Sequence, residues 1–197
     1  VFFLARILGA LYFINNIDDK DLVARSRRSL IGNSVLFLVF FLSFVIRTLL
    51  ADGYAVNPET GEVFMEPYKY LTNFIEMPLV LVLFLIGVVL VLFGIGKSLL
   101  KTKFDKGIWF TGIGTVLAVL ALLLVAGYNN TAYYPSTNDL QSSLTLANSC
   151  SSQFTLRVMF YVSFLVPFVL AYIFYAWRSI DIHKISEKEM KDGGHAY

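Results

Sequence analysis

The chain of 197 residues is 57% hydrophobic and only 15% charged, and its 16 basic and 14 acidic residues leave a formal charge of +2. That is too apolar for an ordinary soluble domain, and so small a net charge excludes nucleic acid as a partner. A single cysteine, Cys150, excludes an internal disulfide, and with no base near it in sequence it reads as a small inert residue.

Val1 to Ile14 is apolar except for Arg6 and stops at the polar patch Asn15-Asn16-Ile17-Asp18-Asp19-Lys20. As a helix, about fourteen residues reach roughly 21 Å, short of the roughly 30 Å of a bilayer's hydrocarbon core. The chain opens on valine, without the basic start, apolar middle and small-residue cleavage site of a signal peptide. Residues 1–14 are therefore expected to be the end of a transmembrane helix whose beginning is missing. Residues 15–30 carry Lys20, Arg25, Arg27 and Arg28 and read as a basic connection.

Ile31 to Leu50 is the first complete span, with Arg47 near its far end, where a long stem lets the charge snorkel to the interface. Ala51 to Thr72 reads as a polar loop holding Pro58, Gly61 and Pro67. Asn73 to Gly96 is the next span. Glu76-Met77-Pro78 falls in its first turn, where proline is tolerated and a carboxylate is favoured by the helix dipole. Gly87 and Gly94 lie one heptad apart, which predicts close approach of a neighbouring helix. After the short basic connection Lys97 to Lys106, Ile108 to Ala126 forms a third span with Trp109 as interface anchor.

Tyr128 to Gln153 is a long loop rich in Asn, Ser and Thr, and Asn129-Asn130-Thr131 within it fits a glycosylation acceptor, a signal that means nothing in a bacterial protein. The run from Phe154 to Trp177 carries one charge, Arg157, and one proline, Pro167, and is the last span. Residues 179–197 are a charged tail whose Glu and Lys pairs suit a solvated helix end.

Basic residues cluster in alternate connections: Lys20 with Arg25, Arg27 and Arg28, then Lys97 with Lys101, Lys103 and Lys106, then Arg178 with Lys184, Lys188 and Lys191. By the positive-inside rule these three groups and the C-terminus are cytoplasmic, and the two polar loops face outward. The fold class expected is an all-α membrane protein, a four-helix transmembrane bundle over residues 31–178 preceded by the end of another span.

Several motifs carry a resemblance. Tyr134-Pro135-Ser136, Ser143-Leu144-Thr145, Ser151-Ser152-Gln153, Thr155-Leu156, Met159, Pro167 with Tyr172, and the end His195-Ala196-Tyr197 are similar to the C-terminal end of subunit II of cytochrome bd-type quinol oxidases. Weaker likeness extends back through Asp52-Gly53-Tyr54, Arg25 to Arg28 and Gly9-Ala10-Leu11-Tyr12. The resemblance implies a bacterial inner-membrane protein, the second half of a subunit built from two four-helix halves. It implies a respiratory complex that oxidises quinol and reduces oxygen to water. Haem b and haem d are expected in a partner, subunit I, with quinone or quinol and membrane lipid as the other contacts. This chain would scaffold and shield that partner and is expected to bind no cofactor itself.

The residues agree with such an accessory role. The histidines are His183 and His195, both in the tail, so no span offers a histidine to a membrane-buried haem; Met77 and Met159 read as packing residues. The outer side has serines but no histidine to activate one. Gly94-Ile95-Gly96-Lys97-Ser98 resembles the end of a phosphate-binding loop, yet Val91 stands where that motif needs glycine. The remaining candidates are intramembrane charges. Arg47, Glu76 and Arg157 fall near the outer ends of their spans and are expected to form a polar network in which Glu76 pairs with an arginine. Arg6 lies deeper, with no evident neutralising partner. A transporter or channel half, or a purely structural membrane anchor, are the rival readings; a transporter would need discontinuous helices and polar groups at mid-membrane.

Overall fold

A computed structural model describes residues 1–101, 103–180 and 185–186. Helix α1 spans Phe2–Asn16, and the two-residue strand β1, Ile17–Asp18, follows it. Helix α2 runs Lys20–Leu50, α4 Pro78–Leu100 and α5 Gly107–Gly127. Between α2 and α4 come the antiparallel hairpin β2 (Gly53–Val56) and β3 (Val63–Glu66) and the short helix α3 (Lys69–Glu76). The loop after α5 holds a 3-10 turn at Leu140–Ser142 and helix α6 at Leu146–Ser149. The last span is made of α7 (Gln153–Ser163) and α8 (Val166–Ile180), and β4 (Ile185–Ser186) pairs in parallel with β1. Four helical stretches, Lys20–Leu50, Pro78–Leu100, Gly107–Gly127 and Gln153–Ser179, are long and apolar enough to cross a membrane, with Phe2–Asn16 a shorter apolar helix. The expected all-helical architecture with four spans is what the chain adopts.

Local boundaries differ from the expectation at four places, each for a physical reason. The basic stretch expected as a connection is helical from Lys20 onward, because Asp19 caps it: Asp19 Oδ1 accepts from Asp21 N at 2.8 Å and Leu22 N at 2.9 Å. The loop from Ala51 is ordered as a hairpin whose turn uses Gly61 at φ 74° and an Asn57 side chain accepting from Glu59 N at 2.9 Å. The span expected from Asn73 breaks at Met77, so that Pro78 opens α4 and Glu76 ends α3; Glu76 therefore sits at a helix C-terminus rather than in a first turn. The last span breaks at Phe164–Leu165, just ahead of Pro167.

The tightest packing joins α4 and α5, which run antiparallel. The residues α5 buries are Gly107, Thr111, Gly114, Ala118, Ala121 and Val125, a seam of mostly small side chains spaced three and four apart. Facing it, α4 buries Phe84, Gly87, Val91, Gly94 and Ser98. The two backbones touch: a Cβ placed on Gly87 would lie 2.6 Å from Ala118 N and 2.8 Å from Gly114 O, and one on Gly94 would lie 2.8 Å from Gly107 O. Since lipid tails are as apolar as leucine, such contact, not hydrophobic burial, holds membrane helices together. Helix α1 packs beside α2 and adds Ile7, Leu11 and Ile14 to a core with Leu30, Val91 and Ile95; Phe74, Phe84, Ala121 and Val125 form a second core toward the hairpin end. In residues 153–179 of the last span the side chains are exposed except for half-buried Ala176, and the span's ring contact with the rest is Trp177 on Tyr12, centroids 6.5 Å apart.

Candidate functional site

At the hairpin end the chain builds a buried polar knot. Asn73 on α3 is fully buried, and its amide Nδ2 donates to the Val125 carbonyl and to Thr131 Oγ1, both at 2.9 Å. Its Oδ1 accepts from Asn129 Nδ2 at 3.1 Å, and the same Asn129 nitrogen donates to Glu76 Oε2 at 2.5 Å. Thr131 closes the ring by donating to the Asn129 carbonyl at 3.2 Å. Asn129 and Asn130 hold φ of 57° and 52°, the left-handed conformation that asparagine tolerates best among residues bearing a Cβ. That turn carries the loop back onto the hairpin, where Val56 N donates to Asn130 O at 2.8 Å and Ala132 N to Tyr54 O at 2.9 Å. Gln141 makes two hydrogen bonds to Val63, donating to its carbonyl at 2.9 Å and accepting from its N–H at 3.0 Å.

Charges nearby are also paired. Lys69 is buried and lies 3.3 Å from Glu66, the pairing a buried ammonium requires. Burial raises the Tyr70 phenol above its ordinary value of 10.0, the neighbouring Tyr54 raises it further, and a main-chain hydrogen bond with Tyr54 opposes part of that rise. Cys150 is exposed with a free thiol.

At the opposite, basic end, Arg27 reaches across from α2 to the C-terminus of α4. Its Nη1 donates to the Ser98 carbonyl and to the Lys101 carbonyl at 3.3 Å, and its Nη2 to the Phe104 carbonyl at 3.5 Å. A guanidinium there satisfies carbonyls that the helix leaves without donors and meets the negative end of its dipole. Lys97 lies over the rings of Phe93 at 4.8 Å and Phe104 at 4.6 Å. Gly94 to Ser98 are helical, so the phosphate-loop likeness has no loop beneath it.

Between α1, α2, α4 and α5 lies an apolar groove of about 620 Å³, lined by Phe3, Phe37, Phe41, Val91 and Leu122 among others. Its polar side chain, Thr115, donates to the Thr111 carbonyl at 2.7 Å and so presents mainly its methyl group. The groove suits an acyl or isoprenoid chain better than any polar solute.

The charges singled out by sequence are not gathered into one network. Glu76 meets Asn129, while Arg47 and Arg157 are exposed on α2 and α7 and neither is within 4 Å of a carboxylate among the described residues. Arg6 is exposed, its guanidinium 5.6 Å from the Phe2 ring centre. His183, His195 and the helical tail expected around Glu187 to Lys191 lie outside the described residues. The described residues contain no histidine and no group of three or more His, Cys, Asp and Glu placed to hold a metal ion. Met77 packs into the apolar cluster of Phe74 and Phe84, and Met159 points out of α7. These residues do not fit a haem with histidine ligation.

Sequence reading passed over Asn73 and took Asn129 and Thr131 only as parts of a glycosylation acceptor. The available signals were an asparagine at the threshold of an apolar run and the Asn-Asn pair as a left-handed turn. Only the fold shows that they meet.

Comparison with known proteins converges on one family. The family model described as cytochrome bd terminal oxidase subunit II matches residues 1–180. Among curated proteins, the chain is 32% identical over 136 residues to cytochrome bd-I ubiquinol oxidase subunit 2 of Escherichia coli strain K12, covering 68% of this chain and 34% of that protein. The proteins of the same description from E. coli O6:H1 and O157:H7 match to the same extent. The chain thus spans about a third of the length of the curated relatives it matches. With a match that takes in all four spans and the short helix before them, this integral membrane chain belongs to the cytochrome bd terminal oxidase subunit II family.

Proposed function

We propose that the chain is a haem-free membrane part of a quinol-oxidising, oxygen-reducing terminal oxidase, supporting a haem-bearing partner subunit in a bacterial inner membrane with its basic connections and C-terminus on the cytoplasmic side. The observation that carries this reading is the family match across residues 1–180. Two structural features support it. The described spans offer no histidine to a haem, and the backbone contact between α4 and α5 leaves no room for a macrocycle between them. The groove of about 620 Å³ is apolar and of a size to take a quinone tail or lipid chain.

Haems, where bound in the complex, supply the electron transfer and oxygen chemistry. What this chain does is physical. Its glycine seam and aromatic-lined groove exclude bulk water, and its apolar interior dissolves a small neutral gas better than an ion. Arg47 and Arg157, at the expected outer ends of their spans, hold the chain's register against headgroups, and Glu76 with Asn129 keeps α3 against the loop. A transporter would place its helix break and polar groups at mid-membrane. The Met77–Pro78 break lies at a span end, where Asn73 takes up the polar groups beside it, and the mid-span break at Phe164–Leu165 has no charged side chain closer in sequence than Arg157.

The test is purification of the chain alone and with the remainder of its complex, followed by pigment spectra. Haem absorbance in the complex and none in the isolated chain is the expected result. Stoichiometric haem on the isolated chain, or solute flux in vesicles without oxygen consumption, overturns the reading.

A further inference from the structure

The last span is interrupted at its middle, and the interruption leaves polar backbone exposed. Pro167 has no N–H, so the Ser163 carbonyl four residues earlier loses its helical donor. Phe164 N turns back to Tyr161 O at 3.2 Å and Leu165 N to Val162 O at 2.9 Å, and then Phe168 N and Val169 N both fall on Leu165 O, at 3.1 and 3.2 Å. Among the described residues the carbonyls of Ser163 and Phe164 have no main-chain donor. The one nearby hydroxyl is committed as well: Ser163 Oγ donates to the Phe160 carbonyl at 2.6 Å. Phe164, Leu165 and Val166 are 57%, 61% and 50% exposed.

Ser163 is the eleventh residue of α7, which places the break about 16 Å along the span and so near the centre of the hydrocarbon layer. No water is available there. Irregular backbone facing lipid is not tolerated at that depth, because each unpaired carbonyl costs several kcal/mol; it occurs only where protein covers it.

We infer that the break at Ser163–Val166 is the docking point of a transmembrane helix of the neighbouring subunit, one that presents a hydrogen-bond donor side chain to the carbonyls of Ser163 and Phe164. This rests on the reading of the chain as part of a heteromeric oxidase. Among the described residues no packed helix supplies the donor, since the span's ring contact with them is at Trp177, far from the break. A second copy docked symmetrically at the break does not supply it either: it would bring the apolar side chains of Phe164 and Leu165 and a Ser163 hydroxyl already given to Phe160. The partner that fits carries Asn, Gln, Ser, Thr or another donor inside an otherwise apolar span.

The experiment places a benzophenone photo-crosslinking residue at Phe164, and as a comparison at exposed Phe154 near the span's end, in membranes expressing the full oxidase. The position-164 probe is expected to label a different membrane protein, the one that co-purifies with this chain. Adducts with lipid alone, with another segment of the same polypeptide, or with a second copy of the chain, overturn the inference. In parallel, Pro167→Ala restores an N–H to the Ser163 carbonyl. It is expected to lower recovery of the co-purifying subunit about threefold per interhelical hydrogen bond displaced, while the isolated chain resists unfolding at least as well as before. Unchanged recovery counts against the inference. If nothing co-purifies at all, the heteromeric reading itself fails; if a partner co-purifies but is not labelled from position 164, only the docking point does.

Discussion

Gly114 offers the sharpest test of what holds the bundle together. A Cβ added there would lie 2.6 Å from the Gly87 carbonyl oxygen, 2.8 Å from Leu90 Cβ and 2.8 Å from Val91 N, whereas ordinary contact begins at 3.4 Å. The facing backbone must then retreat by 0.6 Å, from 3.4 minus 2.8, to 0.8 Å, from 3.4 minus 2.6. Gly114→Ala is therefore expected to carry an overpacking penalty of roughly 1–3 kcal/mol, against a helix-propensity gain of up to about 1 kcal/mol. Gly112, two residues away on the same helix, has nothing within 4 Å of its added Cβ, so Gly112→Ala collects the propensity gain alone. The difference between the two variants isolates the seam. Reversible unfolding of the purified chain in mixed micelles of rising SDS content, followed by helix ellipticity, reads it out. Gly112→Ala is expected to shift the midpoint up or leave it, and Gly114→Ala to shift it down. Equal shifts for both would refute close backbone contact as the force joining α4 to α5.

Asn73→Ala takes the donor from the Val125 carbonyl and the partner from Thr131 and Asn129; a loss of about 2–3 kcal/mol follows from orphaning buried polar groups, and hydrogen exchange at residues 125–131 should rise. Arg27→Ala leaves the Ser98, Lys101 and Phe104 carbonyls without its guanidinium, with an expected loss of about 1 kcal/mol after allowing for partial exposure. Arg27→Lys keeps the charge but not the fork, so it should recover only part of that loss in the same SDS titration. Tyr70 gives a pH signature. Because its folded phenol ionises above 10.0, the unfolded chain loses its proton first; stability is intact below pH 10 and falls as pH rises through the folded value. Tyr70→Phe should flatten that alkaline limb, and an unchanged limb would assign it to another group.

Span count and span chemistry were legible because apolar runs of about twenty residues have few other uses. Family kinship was legible too, from motifs such as Ser151-Ser152-Gln153 and Pro167. The seam was half visible: Gly87 and Gly94 announced a close approach, but its other side, Gly107 to Val125, is hidden inside a uniformly apolar run where threonine and alanine do not stand out. The polar knot was invisible for a different reason. Asn73 and Thr131 are 58 residues apart, and nothing local tells an asparagine which carbonyl it will reach. Charge patterning misled in one respect. Arg47, Glu76 and Arg157 share an expected depth, but depth says nothing of which side of the bundle each occupies, and the carboxylate found an amide instead.

Where two helices meet main chain to main chain, nothing the size of a diatomic gas fits between them, and α4 with α5 acts as one solid stave. The room for an apolar guest lies beside that stave, in the groove that α1 and α2 help to line. Trimming Phe37 would enlarge that room, while trimming Phe41 would also strip a ring from Phe84 and the core toward the hairpin.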